Sequence, residues 1–299
     1  MNETPRIIGA FGPMQADTLI ICTAGIHGNE PLGVEALQKV FHILEREQPV
    51  FNARFVGIAG NLKALNAGKR YLAEDLNRIW TTDTISRAQS NACRTPECEE
   101  LKEILFVLDQ IDASQYRQKI YLDLHTTSGE NGTFIVTTEL EHSKHLTKNL
   151  EAPVIVGLEE KLVGTSMRYM YQQGFVSFAF EGGQHQSQQS IDNLVWSIWY
   201  TFLGAGCIQS HAIPGEVAQY THLQEFTENL PEVMALDYLH SITPQDEFKM
   251  MPGFENFSKV QKGQLLAHDR HGEVLAPADG YLLMPLYQPT GNDGFFLVN

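Results

Sequence analysis

Residues 18–44 constrain the fold more than any other stretch. Thr18–Thr23 (TLIICT) is an apolar run that reads as a buried strand. It stops at Ala24-Gly25, and Pro31 then opens a helix with an apolar stripe of Val34, Leu37, Phe41 and Leu44. The turn between them carries His27 and Glu30, three residues apart. Strand-to-helix turns lie at the strand ends where open α/β sheets place their sites. An imidazole and a carboxylate converging there can hold a divalent metal. Alone, such a pair is a weak signal, since most are exposed or structural contacts.

The alternation continues along the chain. Ile7 to Phe11 reads as a short first strand, and Ala53–Ala59 (ARFVGIA) as another, closed by Gly60-Asn61. Residues 61–78 have little regular period and read as a structured loop. Ser86 to Asp112 contains a helix, clearest from Glu97 to Leu108, where Leu101, Ile104, Leu105 and Leu108 share a face. Lys119–Leu124 is a strand that delivers His125 at its end. Thr133–Thr137 and Pro153–Gly157 are short apolar strands, and Phe175–Phe180 is a strand ending at Glu181. Ser190–Leu203 is a helix that buries Ile191, Leu194, Val195, Ile198, Trp199 and Phe202. Strands alternating with helices imply an α/β fold with helices on both faces of a sheet.

The pattern changes near Gly204–Pro214. Beyond it no long amphipathic helix stands out; Leu223–Leu230 is a short ambiguous stretch. Gly and Pro punctuate short strands at Gln264–Ala267, Glu273–Ala276, Gly280–Pro285 and Phe295–Val298. The expected organisation is a catalytic domain over residues 1–210 and a smaller β-rich domain over 211–299, bordering the active site.

Charge narrows the function. With 36 acidic and 21 basic residues the formal net charge is −15, against the basic face that nucleic acid requires. A few arginines can still make a local pocket for an anionic substrate. No apolar run approaches a membrane span, and the first twenty residues lack a signal-peptide core, so a cytoplasmic protein is expected. Cys22, Cys93, Cys98 and Cys207 do not complete a zinc knuckle, and free thiols are expected for all four.

The third metal-ligand candidate is His125, in Asp123-Leu-His125-Thr126. Catalytic zinc commonly takes three protein ligands and keeps a fourth position for water. Asp123 lies two residues earlier on a strand, so it shares a face with His125. It is either a partner of that ligand or a strand-end hydrogen-bonding group. In the loop, Asp75-Leu-Asn77-Arg78 and Arg70 offer cations and an amide suited to gripping a carboxylate, or a surface salt bridge. Glu181, in Phe180-Glu181-Gly182-Gly183, is either a general base or a paired carboxylate, and its two glycines mark a tight turn or a close backbone approach.

Taken in order, His27-Gly-Asn-Glu30, Arg70, Asp75-Leu-Asn77-Arg78, Asp123-Leu-His125-Thr126 and Glu181-x-Gly183 resemble the succinylglutamate desuccinylase/aspartoacylase family, a branch of the zinc carboxypeptidase-like hydrolases. The resemblance spans residues 20–183, and the β-rich last third fits the family layout. It implies a mixed sheet flanked by helices. It also implies one Zn2+ per chain on His27, Glu30 and His125, with Arg70 stabilising the oxyanion and Glu181 as base and then acid. Asn77 and Arg78 would bind a substrate carboxylate. Arg168 and Tyr281 are the candidates for two further substrate contacts. Around His125 (LHTTSGENGTF) and Glu181 (FEGGQH) the chain departs from aspartoacylase, while residues 60–78 stand nearer to the desuccinylases.

The implied activity is hydrolysis of the amide bond of a small N-acyl amino acid or related acylated amine. The alternatives are a metallocarboxypeptidase acting on peptides and a non-catalytic binding protein on the same scaffold. The expected partner is a small molecule carrying a carboxylate, with no nucleic acid and no membrane; a homo-oligomer is left open.

Overall fold

A computed structural model describes residues 4–219 and 229–299. Most of the ambiguous stretch 223–230 lies outside the described residues. The chain opens with β1 (Ile7–Phe11), β2 (Thr18–Ala24), α1 (Leu32–Glu47), β3 (Arg54–Ala59) and α2 (Leu62–Ala67). There follow α3 (Thr82–Gln89), α4 (Pro96–Asp109), β4 (Gln118–Thr127), β5 (Phe134–Thr137), α5 (Leu140–Thr147), β6 (Val154–Val156), α6 (Leu158–Lys161) and α7 (Ser166–Gln172). Next come β7 (Val176–Gln184), α8 (Gln188–Gly204), α9 (Gly215–Ala218) and β8 (Val233–Ser241). The last strands are β9 (Lys249–Met250), β10 (Ser258–Val260), β11 (Leu265–Asp269), β12 (Gly272–Leu275), β13 (Gly280–Leu283) and β14 (Asp293–Val298).

Among the described residues, eleven strands pair in the order β1-β3-β2-β4-β7-β5-β6-β8-β14-β13-β10, and β12-β11-β9 form a small antiparallel sheet. At the centre, β3, β2, β4 and β7 run parallel, while β5 meets β7 antiparallel, so the sheet is mixed. Every residue of β2 is buried, as expected for a parallel strand covered on both faces. The period of two divides its side chains. Ile20, Cys22 and Ala24 enter one core with the stripes of α1 and α8, whereas Leu19 and Ile21 enter the opposite core with α4 and α7.

The same parity builds the site. In β4, Ile120, Leu122 and Leu124 face the first core, which sends Tyr121, Asp123 and His125 to the other side. In β7, Phe178 and Phe180 face the first core, and Glu181 shares the side of Ala179.

Several local expectations are corrected. Strands β4 and β7 do not end before His125 and Glu181 but run to Thr127 and Gln184, because β5 pairs alongside Glu181 and keeps that end of the sheet hydrogen-bonded. The loop 61–78 contains α2, whose first turn is capped by the Asn61 side chain, and a 3-10 turn at Leu76–Arg78 capped by Asp75. The helix expected over Glu97 to Leu108 is α4, and the unread helix α3 precedes it, each opened by a capping threonine, Thr95 and Thr81. Cys93 and Cys98 form a disulfide, contrary to the free thiols expected, while Cys22 and Cys207 are free and buried. The two cysteines flank Thr95, where the chain turns into α4 and brings them within bonding reach. Strand β8 escaped the sequence reading because its side chains are exposed or half-buried, Met234 alone being fully buried. Among the described residues, no helix is long and apolar enough to cross a membrane.

Candidate active site

His27 and Glu30 lie on the tight turn between β2 and α1, with the Glu30 N–H donating to the His27 carbonyl at 3.1 Å. The first of the two residues between them must be glycine: a Cβ on Gly28 would sit 2.1 Å from the Ala64 carbonyl carbon. The Gly28 N–H donates to the Arg70 carbonyl at 3.0 Å, which ties this turn to the loop that bears the arginines. Pro31 stands at the position just before α1.

The two imidazoles are arranged alike. His27 places Nδ1 2.8 Å from Glu30 Oε1 and Nε2 3.1 Å from Asp75 Oδ1. His125 places Nδ1 3.1 Å from Glu30 Oε2 and Nε2 3.1 Å from Asp123 Oδ2. Asp123 accepts from Thr23 Oγ1 at 2.5 Å and from Ser166 Oγ at 2.6 Å. Asp75 accepts from the Asn77 N–H at 2.8 Å and from Arg70 at 3.0 Å. Both aspartates are buried acceptors suited to an Nε2 proton; with a proton on Nε2 alone, each ring would turn an Nδ1 lone pair toward Glu30. Two lone pairs facing a carboxylate repel unless a positive charge lies between them. Extra protons or a cation would supply it. Ligand atoms of His27, Glu30 and His125 all lie within 4.8 Å of one another, and all three residues are buried. Two nitrogens and a carboxylate, each imidazole backed by a carboxylate, fit a zinc site.

The charges respond to this crowding. Burial raises the Glu30 pKa, but the positive charge of His27 and hydrogen bonds from both histidines outweigh it and hold the carboxyl well below its usual range. Burial lowers the His125 pKa, but Asp123 and Glu30 override it and push the imidazole well above its usual value. Glu181 behaves in the opposite way. It is the register neighbour of His125 across β4 and β7, and its Oε2 is buried without a hydrogen-bond partner. Burial raises its pKa to about 8, with His125 opposing and Glu30 adding to the rise. A carboxyl that titrates near neutrality in a cleft can both accept and return a proton. The glycines after it serve close packing: a Cβ on Gly182 would lie 2.6 Å from the Leu194 side chain of α8.

Arg70 is partly buried between Asp75 and Glu30, with Nη1 3.5 Å from Glu30 Oε1. Asn77 spends its Oδ1 on the Ser166 N–H (3.0 Å) and lines the cavity with the rest of its amide. Arg78 lines it too, but its Nη2 already donates to Asp293 Oδ2 at 2.8 Å. One cavity thus collects His27, Glu30, Arg70, Asn77, Arg78, Asp123, His125 and Glu181. Arg168 and Tyr281 do not line it. Arg168 lies on α7 and donates to the Glu159 carbonyl, and Tyr281 lies on β13 with the Lys259 ammonium 5.6 Å above its ring. The sequence reading missed Ser166, His185, Gln288 and Asp293, all brought to the site by tertiary packing. His185 has a partial signal in its position four residues after Glu181. Its Nδ1 meets Thr126 Oγ1 at 2.8 Å, and its Nε2 meets Gln288 Oε1 at 3.2 Å.

Residues 15–194 match the Succinylglutamate desuccinylase/Aspartoacylase catalytic domain. The chain belongs to this family. Among its desuccinylase/aspartoacylase relatives, a succinylglutamate desuccinylase of Pseudomonas fluorescens is 28% identical over 258 residues, covering 84% of this chain and 73% of the relative. The crystal structure of a succinylglutamate desuccinylase/aspartoacylase from Rhodobacter sphaeroides superposes with a TM-score of 0.67 at 16% identity, over 95% of this chain and 86% of that one. Murine aminoacylase 3 shares the fold with a TM-score of 0.56 at 16% identity, over 95% of each chain.

Proposed function

We propose that this desuccinylase/aspartoacylase family member is a zinc-dependent amidohydrolase that removes the acyl group from a small N-acyl amino acid or related acylated amine. One observation carries the reading: the partnerless Glu181 carboxyl lies beside the His27–Glu30–His125 cluster in the cavity that also holds Arg70. Zinc bound to that cluster would supply Lewis acidity, which lowers the pKa of a water and polarises a carbonyl. Glu181 takes the proton of the attacking water and returns it to the departing amine. Arg70, held by Asp75 and Glu30, aims its guanidinium at the carbonyl oxygen that gains charge. Asp75 and Asp123 keep both imidazoles oriented with Nδ1 inward. Asn77 and Arg78 orient the polar end of the substrate.

The C-terminal strands favour a small substrate over a peptide. Met284, Leu286 and Gln288, from the segment between β13 and β14, and Phe296 of β14 add to the lining of the cavity. The test is a hydrolysis screen of N-acetyl, N-formyl and N-succinyl amino acids beside peptides with free C-termini, using zinc-replete protein. Turnover of an N-acyl amino acid is expected, and turnover of the peptides alone would overturn the reading.

A further inference from the structure

Among the described residues, Arg70 and Arg78 are the two Lys or Arg side chains that line the cavity, and each is already paired with a carboxylate. Arg70 is held by Asp75. Arg78, the side chain expected to grip the substrate, holds Asp293 at 2.8 Å. Asp293 is no loose surface acid. It opens β14 opposite Ser241, and the residues on either side are anchored: Asn292 accepts from the Ile242 N–H at 2.8 Å and Gly294 from the Leu286 N–H at 3.0 Å. The carboxylate therefore stands where a substrate anion would meet Arg78. Among the described residues no other Lys or Arg lines the cavity, whose remaining basic groups are His27, His125 and His185. Leu76 and Ile79, which flank Asn77-Arg78, belong to the same apolar cluster as Val136, Leu158, Met167 and Phe296, and those four line the cavity.

We propose that Asp293 is a specificity-determining residue that restricts the substrate to a single carboxylate, selecting N-acyl amino acids whose acyl group and side chain are uncharged. The inference rests on the deacylase reading of this site. A second carboxylate entering the cavity meets a like charge already seated on Arg78 and an apolar wall beside it. Discrimination built on such a repulsive element is stronger than a missing contact alone provides.

Matched pairs that differ by one charge test it: N-butyryl against N-succinyl derivatives of one amino acid, and N-acetylglutamine against N-acetylglutamate. The wild-type chain is expected to prefer the uncharged member of at least one pair by about tenfold in kcat/KM, an electrostatic discrimination of ordinary size. Asp293→Asn keeps the shape and removes the charge, and should cut that preference at least about fivefold, mainly through the KM of the charged member. Asp293→Ser is the second variant should the Asn carbonyl still hold Arg78. Wild-type preference for the charged members, or a preference that neither variant changes, overturns the inference. If no N-acyl compound is hydrolysed, the deacylase reading falls. Calorimetric binding of butyrate against succinate, and glutamine against glutamate, then decides on Asp293 alone: preference for the singly charged acid, relaxed in the variants, supports it, and any other result overturns it.

Discussion

Glu181 titrates far from an ordinary carboxylic acid, and two predictions follow from its environment. As the proton carrier it cannot be replaced by an amide. Glu181→Gln should lower kcat by about 10²-fold or more, the usual scale for general acid–base catalysis, while zinc stays bound. Near-normal kcat on the best substrate would remove Glu181 from that role. The second concerns the metal-free protein. In the fold the Glu181 carboxyl keeps its proton up to about 8, whereas an unfolded glutamate releases it near about 4.3. Between those values the unfolded chain binds fewer protons than the folded one. Glu181 is thus without penalty at low pH and destabilises the fold progressively as pH rises through that window. Urea midpoints measured at about pH 5.5 and about pH 7.5 should fall more for the wild type than for Glu181→Gln. Parallel falls would contradict the placement. At His27, Asp75→Asn replaces the acceptor that orients the ring, and should weaken zinc binding by roughly 10–100-fold in competition with a chelator.

Among the elements, α4 does more for the site than its distance suggests. Glu97, in its first turn, is fully buried. Its carboxylate accepts from the backbone N–H groups of Leu72 (2.6 Å), Ala73 (3.2 Å) and Glu74 (3.3 Å), in the loop between Arg70 and Asp75. Glu97→Gln puts an amide donor against those N–H groups and should cost about 1–3 kcal/mol in chemical denaturation, the usual penalty for unsatisfied buried groups. A stability within error of the wild type would mean that the loop holds itself. This contact also shows where sequence reading stops. His27, Glu30, His125 and Glu181 were legible because each lies on a strand or turn with a clear apolar period, and parity sets the direction of the side chain. The loop 61–78 has no such period. Its shape comes from caps by Asn61 and Asp75 and from Glu97, twenty-odd residues away, and none of these leaves a local pattern. Asp293 was illegible for the same reason, since its partner Arg78 is distant in sequence.

For the molecule as a whole, β8 pairs with β6 and thereby carries the central sheet into the C-terminal strands. We propose that residues 211–299 act as a specificity domain on a catalytic part spanning 1–210. A chain ending at residue 210 would leave β6 as an open, apolar sheet edge and strip Met284, Leu286 and Phe296 from the cavity. It should aggregate rather than persist as a soluble monomer in size-exclusion chromatography. A soluble, fully active truncation would refute the proposed role. The central claim, however, is the metal centre. Its most direct test is the zinc content, by elemental analysis, of the purified wild-type chain and of His27→Ala and His125→Ala after identical zinc loading and dialysis. The account predicts one zinc per wild-type chain and its loss from both variants; full retention of zinc in both would contradict it.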